Sequence, residues 1–329
     1  MRAIVIQQPG GPEVLHAAEL PDPSPAPGEV VVELRSAAVN HRDVWTRSEG
    51  QTPAGSVPGS DGAGVVAEHG PGVSHPPLGA EVVINPSVQW GEREDAPGED
   101  WNILGVPRQG TYAERIAIPA DHVHPRPQQL TWHEAAALPL CGLTAWRALV
   151  TRGRVGSGTR VLITGVGAGV STFLVQIARE LGAHVQVTSS SQAKIDRAVE
   201  LGAVSGALYT DPEWPDQVGL VDVVIDSAGT PTWQVLGRCL RRGGTLVSFG
   251  RTAGRTVELT IPEVFYGQWN ILGTTMGSPR EFAALLEHVE RAGWRPVVDS
   301  VFPLEQAADA HRRLEHPDRF GKLVLEVST

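Results

Sequence analysis

The chain has 329 residues, of which 41% are hydrophobic and 19% are charged, a composition typical of folded domains rather than of disordered chains. Its formal net charge of −10 argues against a broad nucleic-acid or anionic-membrane surface, because both are bound through excess lysine and arginine. No apolar run approaches the roughly 20 residues of a membrane span and the N-terminus lacks a signal peptide's apolar stretch, so we expect a cytoplasmic protein.

The first part of the chain is predicted to be rich in β-strands. Short apolar runs such as "EVVVELRSAAV", "GAGVVAEHG" and "AEVVINP" are separated by proline and glycine clusters. Residues 86–110 then form a long polar excursion without a clear period. A loop of that length inside a compact domain is either functional or a relic of something that once stabilised it.

Four polar residues, Asn40, His41, Arg42 and Asp43, follow the strand "VVVELRSAAV" directly. They either line a site or surround a helix start, in which case Asp43 is the N-cap of "VWTRSEG" and His41 lies on the surface. On an extended stretch neighbouring side chains alternate between faces. The sequence therefore leaves open which of His41 and Arg42 points inward.

From about residue 125 the pattern changes to helical segments that alternate with apolar strands. The segment "TWHEAAALPLCGLTAWRALVTRG" predicts a helix with Thr131 and Glu134 as its capping box. The strands "RVLITG", "HVQVTS", "VDVVIDSAG" and "GTLVSFG" alternate with amphipathic segments such as "STFLVQIARELGA", the pattern of βαβ units in a parallel sheet. A strand "NILGTTM", a helix in "SPREFAALLEHVERAG" and a final strand in "KLVLEV" follow.

A glycine-rich turn joins a strand to a helix in "VLITGVGAGVS", residues 161–171. Such glycines let backbone N–H groups approach a pyrophosphate at a helix N-terminus. The strict G-x-G-x-x-G register is not met, because its last position is occupied by a valine. The alternative is a glycine-rich turn without a ligand. We predict a dinucleotide site formed by Gly165, Gly167, Ala168, Gly169 and Val170.

The next strand decides which dinucleotide is preferred. An NAD site places an acid about 20 residues beyond the glycines to hold the ribose 2′-hydroxyl, but "VQVTSSSQAKIDRA" has its first acid only at Asp196. Hydroxyl donors and a nearby cation suit a 2′-phosphate instead. We therefore predict NADP(H), bound by Ser189, Ser190 and Lys194, although these serines alternatively only cap a helix.

The succession "VNHRD", "VPGSDGAGVV", "LPLCGLTAWRAL", "VLITGVGAGVS", "FGRTAG", "ILGTTMGS" and "FGKLVLEV" resembles the medium-chain dehydrogenase/reductase superfamily, in its quinone oxidoreductase and zinc-type alcohol dehydrogenase-like branch. The resemblance implies an α/β protein with a GroES-like, β-rich catalytic domain of residues 1–124, completed by residues 268–329. It also implies a Rossmann domain of residues 125–267, a doubly wound parallel sheet that binds NADP(H), and a cleft between the domains where the nicotinamide meets the substrate.

Zinc-dependent members of this superfamily carry ligands that the chain lacks. They have Cys in place of Asn40, His in place of Ser60 and usually Cys in place of Leu140, while Asp61 falls where they carry an acid beside the metal. Amide and hydroxyl oxygens are poor zinc ligands beside thiolate and imidazole. We therefore predict that there is no catalytic zinc.

The polar excursion at residues 86–110 resembles a lobe that holds a structural zinc through four cysteines in many relatives. It contains no cysteine, and the two in the chain are Cys141 and Cys239. We expect the lobe to be held by packing, for example of Trp90 and Trp101, or to be mobile.

The resemblance also implies roles for individual residues. Asn40 and Asp43 match positions that line the cleft in metal-free reductases, so we predict Asn40, Asp43 and His41 as catalytic residues, with Asn40 donating to the acceptor oxygen. Thr144 in "GLTAW" matches the threonine that contacts the nicotinamide. Further predicted cofactor residues are Ser227, Phe249, Gly250, Arg251 and Lys322. Arg251 and Lys322 are alternatively ordinary solvated charges.

Three functions are compatible with these patterns. The first is a zinc-independent, NADPH-dependent reductase of quinones or α,β-unsaturated carbonyls. The second is an alcohol dehydrogenase with atypical zinc ligands, and the third is a non-catalytic NADPH-binding sensor. Relatives pair through edge strands of the Rossmann sheet, and "NILGTTM" offers such an edge, so we expect a homodimer. The sequence leaves the identity of the substrate, the proton donor and the physiological direction of the reaction open.

Overall fold

The computed structural model describes residues 1–49 and 52–327, so the last two residues of the segment 268–329 lie outside it. The chain divides into two compact units: a first unit of Met1–Leu140 with Gly277–Thr329, and a second unit of Cys141–Met276. In the described residues, no helix is both long and apolar enough to span a membrane.

Most of the sheet structure lies where the apolar runs predict it. The strands are β1 (Arg2–Ile6), β2 (Leu15–Glu19), β3 (Glu29–Val39), β4 (Asp61–His69), β5 (Glu81–Ile84), β6 (Ser87–Val88), β7 (Asn102–Ile103), β8 (Arg115–Pro119), β9 (Val123–Pro125), β10 (Arg160–Ile163), β11 (His184–Ser189), β12 (Ser205–Leu208), β13 (Val221–Asp226), β14 (Leu240–Ser248), β15 (Asn270–Gly273), β16 (Val298–Pro303) and β17 (Lys322–Glu326).

The helices are shorter and more numerous than the sequence pattern indicates. They are α1 (His41–Ser48), α2 (Trp132–Ala137), α3 (Pro139–Trp146), α4 (Gly169–Glu180), α5 (Gln192–Leu201), α6 (Trp214–Val218), α7 (Thr230–Trp233), α8 (Leu236–Cys239), α9 (Ile261–Gly267), α10 (Pro279–Ala292) and α11 (Ala307–Glu315). The single helix predicted after Thr131 is divided into α2, α3 and a π-helical turn at Arg147–Arg152. Proline lacks the N–H that a continuous helix needs, so a new helix begins at Pro139.

The first unit is built around a seven-stranded sheet in the order β16-β17-β3-β4-β5-β9, with β8 also paired to β3. Strand β3 lies at the centre and is mostly buried, which explains its long apolar run. The pairing register determines which chain segments lie next to each other: Ala38 of β3 lies opposite Asp61, and Val39 lies opposite Leu323. The end of β3, the start of β4 and the start of β17 therefore meet.

The second unit contains a six-stranded parallel sheet in the order β12-β11-β10-β13-β14-β15. Its central strands are apolar, since Val161, Leu162, Ile163, Val224 and Ile225 are fully buried. Helices α4 and α5 follow the first two strands of the sheet along the chain. The predicted α/β fold, a GroES-like domain with a Rossmann domain, is confirmed.

The unit boundaries differ from the predicted ones, which fall after residues 124 and 267. Helix α2 packs on β3, β4 and β17, so the chain remains in the first unit up to Leu140. Strand β15 pairs with β14, so the second unit extends to Met276. In both places tertiary contacts, which have no local sequence signal, set the boundary.

Candidate active site

Three buried side chains form the centre of the candidate site in the first unit. Lys322 Nζ donates to Asn40 Oδ1 at 2.6 Å and to Asp61 Oδ2 at 2.9 Å. Asn40 Nδ2 donates to the same Asp61 Oδ2 at 2.9 Å. The exposed fractions of Asn40, Asp61 and Lys322 are 4%, 0% and 2%. The cluster therefore holds a full positive and a full negative charge out of water, joined through one amide.

The sheet register builds this cluster from three distant parts of the chain. Asn40 follows the end of β3, Asp61 begins β4 and Lys322 begins β17. The second oxygen of Asp61, Oδ1, accepts from the backbone N–H of Leu140 at 2.7 Å, so both carboxylate oxygens are bound. Lys322 was predicted as a cofactor residue, and that role stays a prediction. Its hydrogen bonds to Asn40 and Asp61 were not predicted from the sequence.

The segment after Asn40 is helical rather than extended. Helix α1 begins at His41, with Asn40 as its N-cap, so the alternating faces predicted for His41 and Arg42 do not occur. The interpretation of Asp43 as the N-cap is wrong as well. The Asp43 carboxylate accepts from the backbone N–H of Asn40 at 2.8 Å and thereby fixes the cap from inside the first turn. The residues both start a helix and line a site.

Behind Asn40, Asp43 begins a buried hydrogen-bonded chain. The Tyr112 hydroxyl donates to Asp43 Oδ2 at 3.0 Å, and its oxygen lies 3.3 Å from His311 Nε2. Because the single hydroxyl proton goes to Asp43, His311 Nε2 must carry the proton that it donates to Tyr112. Burial raises the pKa of Asp43 to about 6 and lowers the pKa of His311 to about 3. Tyr112 and His311 were not predicted in this role, because 199 residues separate them and no local pattern marks them.

Replacing Tyr112 by phenylalanine tests this chain. The Tyr112→Phe substitution leaves the buried His311 N–H without its acceptor and removes one of the two donors to Asp43 Oδ2, so we expect the free energy of unfolding to fall by about 1–3 kcal/mol. Urea unfolding at neutral pH measures it. The control is Tyr209→Phe, because Tyr209 is exposed and should change stability by less than about 0.5 kcal/mol. Equal stabilities of the two variants contradict the assignment.

The low pKa of His311 predicts a pH dependence of stability. The unfolded chain protonates this histidine below its ordinary pKa of 6.5, but the folded chain does so only near pH 3. The contribution of His311 to the free energy of unfolding is therefore complete above pH 6.5. It declines by about 1.4 kcal/mol per pH unit as the pH falls from 6.5 towards 3. Asp43 has the opposite effect on stability. Because its pKa is raised in the folded chain, its contribution to the free energy of unfolding increases as the pH falls from 6 to 3.8.

We expect His311→Gln to be free of the histidine contribution. As the pH falls from 6.5 to 5, the original protein loses this contribution and the variant does not. The free energy of unfolding of the variant, relative to the original protein, should therefore rise by about 2 kcal/mol over this fall in pH. Urea unfolding at both pH values measures this difference. The exposed His316 supplies the control, since His316→Gln should follow the original protein at both pH values. A His311→Gln curve parallel to that of the original protein contradicts the prediction.

Arg42 connects α1 to the lobe at residues 86–110. Its guanidinium donates to the backbone carbonyls of Ile103, Leu104 and Val106 at 3.2–3.3 Å. Burial lowers the pKa of Arg42, against the nearby Asp43, which raises it. Arg42 is therefore an anchor of the lobe rather than a group turned towards a substrate, which the sequence did not indicate.

The lobe is also held by its tryptophans, as predicted. The rings of Trp90 and Trp101 meet edge to face with centroids 5.9 Å apart, and Trp90 is only 2% exposed. The indole of Trp101 donates to the Ser87 hydroxyl at 3.0 Å, and Glu94 accepts from Ser278 at 2.6 Å. Packing and hydrogen bonds thus hold the segment in place of thiolates.

His41 is half-buried beside a second cation. Arg319 Nη2 lies 3.3 Å from His41 Nε2, so this nitrogen accepts and the ring is neutral. Burial, with Arg319 and Lys322 nearby, lowers the pKa of His41 to about 4. Its predicted catalytic role stays a prediction.

In the second unit, the glycine turn has the backbone that a phosphate cradle requires. Gly165 and Gly167 have φ angles of +67° and +123°, which side chains other than that of glycine rarely tolerate. A Cβ on Gly167 would lie 2.8 Å from the Lys194 side chain and 3.1 Å from its Nζ. The turn leads into α4, whose N-cap is Ala168 and whose first residues are Gly169 and Val170. These predicted residues therefore lie together, with a lysine beside them.

The hydroxyls after β11 have different surroundings. Ser189 is buried, and its hydroxyl donates to the carbonyl of Val166 at 3.4 Å and accepts from the N–H of Ser191 at 3.3 Å. Ser190 is exposed, and Lys194 is half-buried. The geometry thus favours Ser190 and Lys194 over Ser189 for a ligand, while the cofactor role of all three stays a prediction.

The turn after β13 is organised by Asp226, which was not among the predicted site residues. The buried carboxylate of Asp226 accepts from the Thr164 hydroxyl at 2.7 Å, from the N–H of Gly229 at 2.9 Å and from the Trp233 indole at 3.2 Å. The position of Asp226 as the last residue of the apolar strand β13 is the sequence feature that could have indicated this role. This turn holds Ser227 beside Gly250, where a Cβ would lie 2.9 Å from the Ser227 carbonyl.

The remaining predicted cofactor residues of the second unit are placed as follows: Phe249 and Arg251 are half-buried around Gly250 after β14, and Thr144 is buried in α3. Their roles stay predictions.

The residues around Asn40 do not fit a catalytic zinc. The Asn40 amide oxygen is bound by an ammonium, the Ser60 hydroxyl donates to the Leu104 carbonyl at 2.7 Å, and Leu140 offers an apolar side chain. A divalent cation next to Asp61 would also face the Lys322 ammonium. Across residues 1–49 and 52–327, no three His, Cys, Asp or Glu side chains are grouped to hold a metal.

A GroES-like sheet, a parallel six-stranded sheet and a glycine turn at the start of α4 define an oxidoreductase with an NAD(P)-binding fold. Residues 26–128 match the model of the alcohol dehydrogenase GroES-like domain, and residues 201–325 match that of the zinc-binding dehydrogenases.

Proteins that are similar to this chain along nearly its whole length are described as members of the same class. A zinc-type alcohol dehydrogenase-like protein of Leptosphaeria maculans is 34% identical over 93% of this chain and 92% of its own length. The quinone oxidoreductase of Mus musculus is 28% identical, over 99% of this chain and 97% of its own. The crystal structure of an NAD-dependent alcohol dehydrogenase superimposes with a TM-score of 0.93 at 40% identity and covers all of both chains. The chain belongs to the medium-chain dehydrogenase/reductase superfamily, as predicted.

Proposed function

We propose that this oxidoreductase uses NADPH, without zinc, to reduce a quinone or another α,β-unsaturated carbonyl compound. The observation that carries the proposal is the Asn40–Asp61–Lys322 cluster, an amide and an ion pair at the place where the family resemblance implies a zinc ligand and the acid beside it. Similarity to a quinone oxidoreductase supports the substrate class, since a quinone is itself an unsaturated dicarbonyl.

Such a reduction needs a hydrogen-bond donor more than it needs a metal. NADPH, when bound, supplies the hydride. Negative charge then grows on the acceptor oxygen, and a donor already fixed in place stabilises it without reorganisation. The Asn40 amide is the donor that we assign, because β3, the Asp43 carboxylate and the Lys322 ammonium fix its backbone and side chain. Its Nδ2 donates to Asp61 at 2.9 Å and to the Ala38 carbonyl at 3.5 Å, and the acceptor oxygen would replace the longer of these two contacts.

The preference for NADPH over NADH rests on the residues beside the glycine turn. Lys194 brings a positive charge next to Gly167, and the segment from Thr188 to Ser191 offers hydroxyls where an NAD site would carry an acid. The similar alcohol dehydrogenase is described as NAD-dependent. We give more weight to this chain's own charges, because an acid and a lysine at this place have opposite effects on a 2′-phosphate.

The proposed assembly is a homodimer formed through the second unit. Strand β15 is an edge of its sheet, and an unpaired edge invites a second copy. The nearby helix α9 exposes Ile261, Phe265 and Tyr266, an apolar group that pairing would cover. Light scattering after gel filtration tests this proposal, and a monomeric mass at micromolar concentration contradicts it.

An alcohol dehydrogenase activity is the second candidate. It is favoured by the 40% identity to the NAD-dependent alcohol dehydrogenase. It predicts oxidation of an alcohol with NAD⁺, whereas the first proposal predicts consumption of NADPH.

The test is a set of parallel assays in the presence of a chelator. NADPH and NADH oxidation are followed over a panel of quinones and enones, and NAD⁺ and NADP⁺ reduction over a panel of alcohols. We expect NADPH oxidation with at least one quinone or enone. Turnover of alcohols alone, or turnover only after zinc is added, overturns the proposal.

A further inference from the structure

Lysine is rare in this chain, and the position of Lys322 is unusual for a lysine. Of 27 basic residues only two are lysines, Lys194 and Lys322, and the others are arginines. Lys322 is 2% exposed, although a lysine is almost never fully buried unless it is paired. A chain that uses arginine nearly everywhere thus carries a compact ammonium here.

The surroundings of Lys322 explain why an ammonium fits there. Lys322 begins β17, and its backbone N–H donates to the Val297 carbonyl at 2.8 Å. Its Nζ reaches two oxygens, Asn40 Oδ1 from the N-cap of α1 and Asp61 Oδ2 from the start of β4. A small tetrahedral donor can serve two such oxygens, whereas the planar guanidinium of arginine requires a fork-shaped acceptor arrangement.

Stability alone does not explain this ion pair. The cost of removing two charges from water commonly exceeds their attraction, and well-packed apolar residues in their place are often as stable or more stable. The pair is, however, joined to the side chain that we assign as the hydrogen-bond donor. Lys322 binds the oxygen of the Asn40 amide, and Asp61 binds its nitrogen.

We propose that Lys322 is a positioning residue, a tethered cation that orients and polarises the Asn40 amide for the reduction. A cation bound to the amide oxygen withdraws electron density from the nitrogen, so the N–H groups of Asn40 become stronger donors. Asp61 holds the ammonium in place and keeps the cluster neutral overall. The inference rests on the proposed reductase function and assigns to Lys322 the electrostatic role that a metal ion would otherwise have.

The first experiment separates polarisation from folding. Lys322→Met alone leaves Asp61 as an unpaired buried charge, so the double variant Lys322→Met with Asp61→Asn is made beside it to keep the site neutral. We expect kcat for NADPH oxidation to fall about 10- to 100-fold in the double variant, the value of one charge-assisted hydrogen bond. The KM of the acceptor should change by less than about threefold, because the interaction is needed as charge develops.

The second experiment tests whether Lys322 acts through Asn40. In an Asn40→Ala background the same double variant should lose little further kcat, since the amide that Lys322 polarises is gone. If the fold losses in kcat caused by Asn40→Ala and by the double variant multiply instead, Lys322 acts independently of Asn40, and the inference is overturned. The exposed Arg312, which pairs with Asp309 at 2.5 Å, gives the control Arg312→Met, with kcat within about twofold of the original.

The outcomes distinguish the role of Lys322 from the proposed reductase function. A folded double variant with the kcat of the original protein overturns the role of Lys322 and leaves the reductase function standing. An original protein that oxidises NADPH with no quinone or enone, in the chelator assays above, overturns both.

Discussion

Asp61→Ala is expected to lower the free energy of unfolding by about 3–5 kcal/mol, the cost of removing one partner of a buried ion pair. Asp61 is fully buried and accepts from Lys322, from Asn40 and from the backbone of Leu140. The substitution leaves an ammonium and two further donors without the carboxylate that binds them. Urea unfolding at neutral pH measures the effect.

Two controls separate this effect from a general loss of charge. Asp61→Asn keeps the shape and one acceptor oxygen, so it should destabilise less than the alanine variant. Asp309 is an exposed carboxylate paired with Arg312, and Asp309→Ala should change stability by less than about 1 kcal/mol. If Asp61→Ala and Asp309→Ala cost the same, the cluster is not the buried ion pair that the geometry indicates.

Lys194→Ala is expected to weaken NADPH binding about 10- to 100-fold while NADH binding changes little. The ammonium beside Gly167 is the group that we assign to the 2′-phosphate, and a charge-assisted hydrogen bond contributes about 1.5–3 kcal/mol. Titration of both coenzymes, followed by nicotinamide fluorescence, measures the two dissociation constants.

An arginine at the other end of the sheet provides the matched control for Lys194→Ala. Arg242 is exposed and lies near the beginning of β14, at the opposite end of the strand from the predicted cofactor turn. Arg242→Ala should therefore leave both dissociation constants within about twofold, because coenzymes bind at the carboxyl ends of parallel strands. An equal loss of NADPH and NADH affinity in Lys194→Ala contradicts a contact with the 2′-phosphate.

Local patterns in the sequence were sufficient for most of the fold. Apolar runs located β3, β10 and β13, the glycine spacing located the turn before α4, and the Thr131 capping box is present with Thr131 N donating to Glu134 Oε2 at 2.7 Å. These features depend on residues a few positions apart, which a single sequence displays directly. The helix that begins at His41 was predicted only as an alternative, and its start was placed too late, at Asp43, because this short polar segment has little apolar periodicity.

The chemistry of the site depends on contacts across the whole chain. Lys322 is 282 residues from Asn40 and 261 from Asp61, and His311 is 199 from Tyr112. Only the pairing of β17 and β4 with the same strand, β3, brings the first three together. No spacing in the sequence marks them as neighbours, so Lys322 was predicted from the family resemblance as a cofactor residue, or alternatively as a solvated charge.

Metal content and turnover measured on one sample decide whether this site works with Lys322 rather than with a bound metal ion. The protein is dialysed against a strong chelator, its zinc is determined by elemental analysis, and NADPH oxidation with an active quinone or enone is followed. We expect full turnover with far less than one zinc ion per chain. Turnover that rises and falls with bound zinc would contradict this role of Lys322.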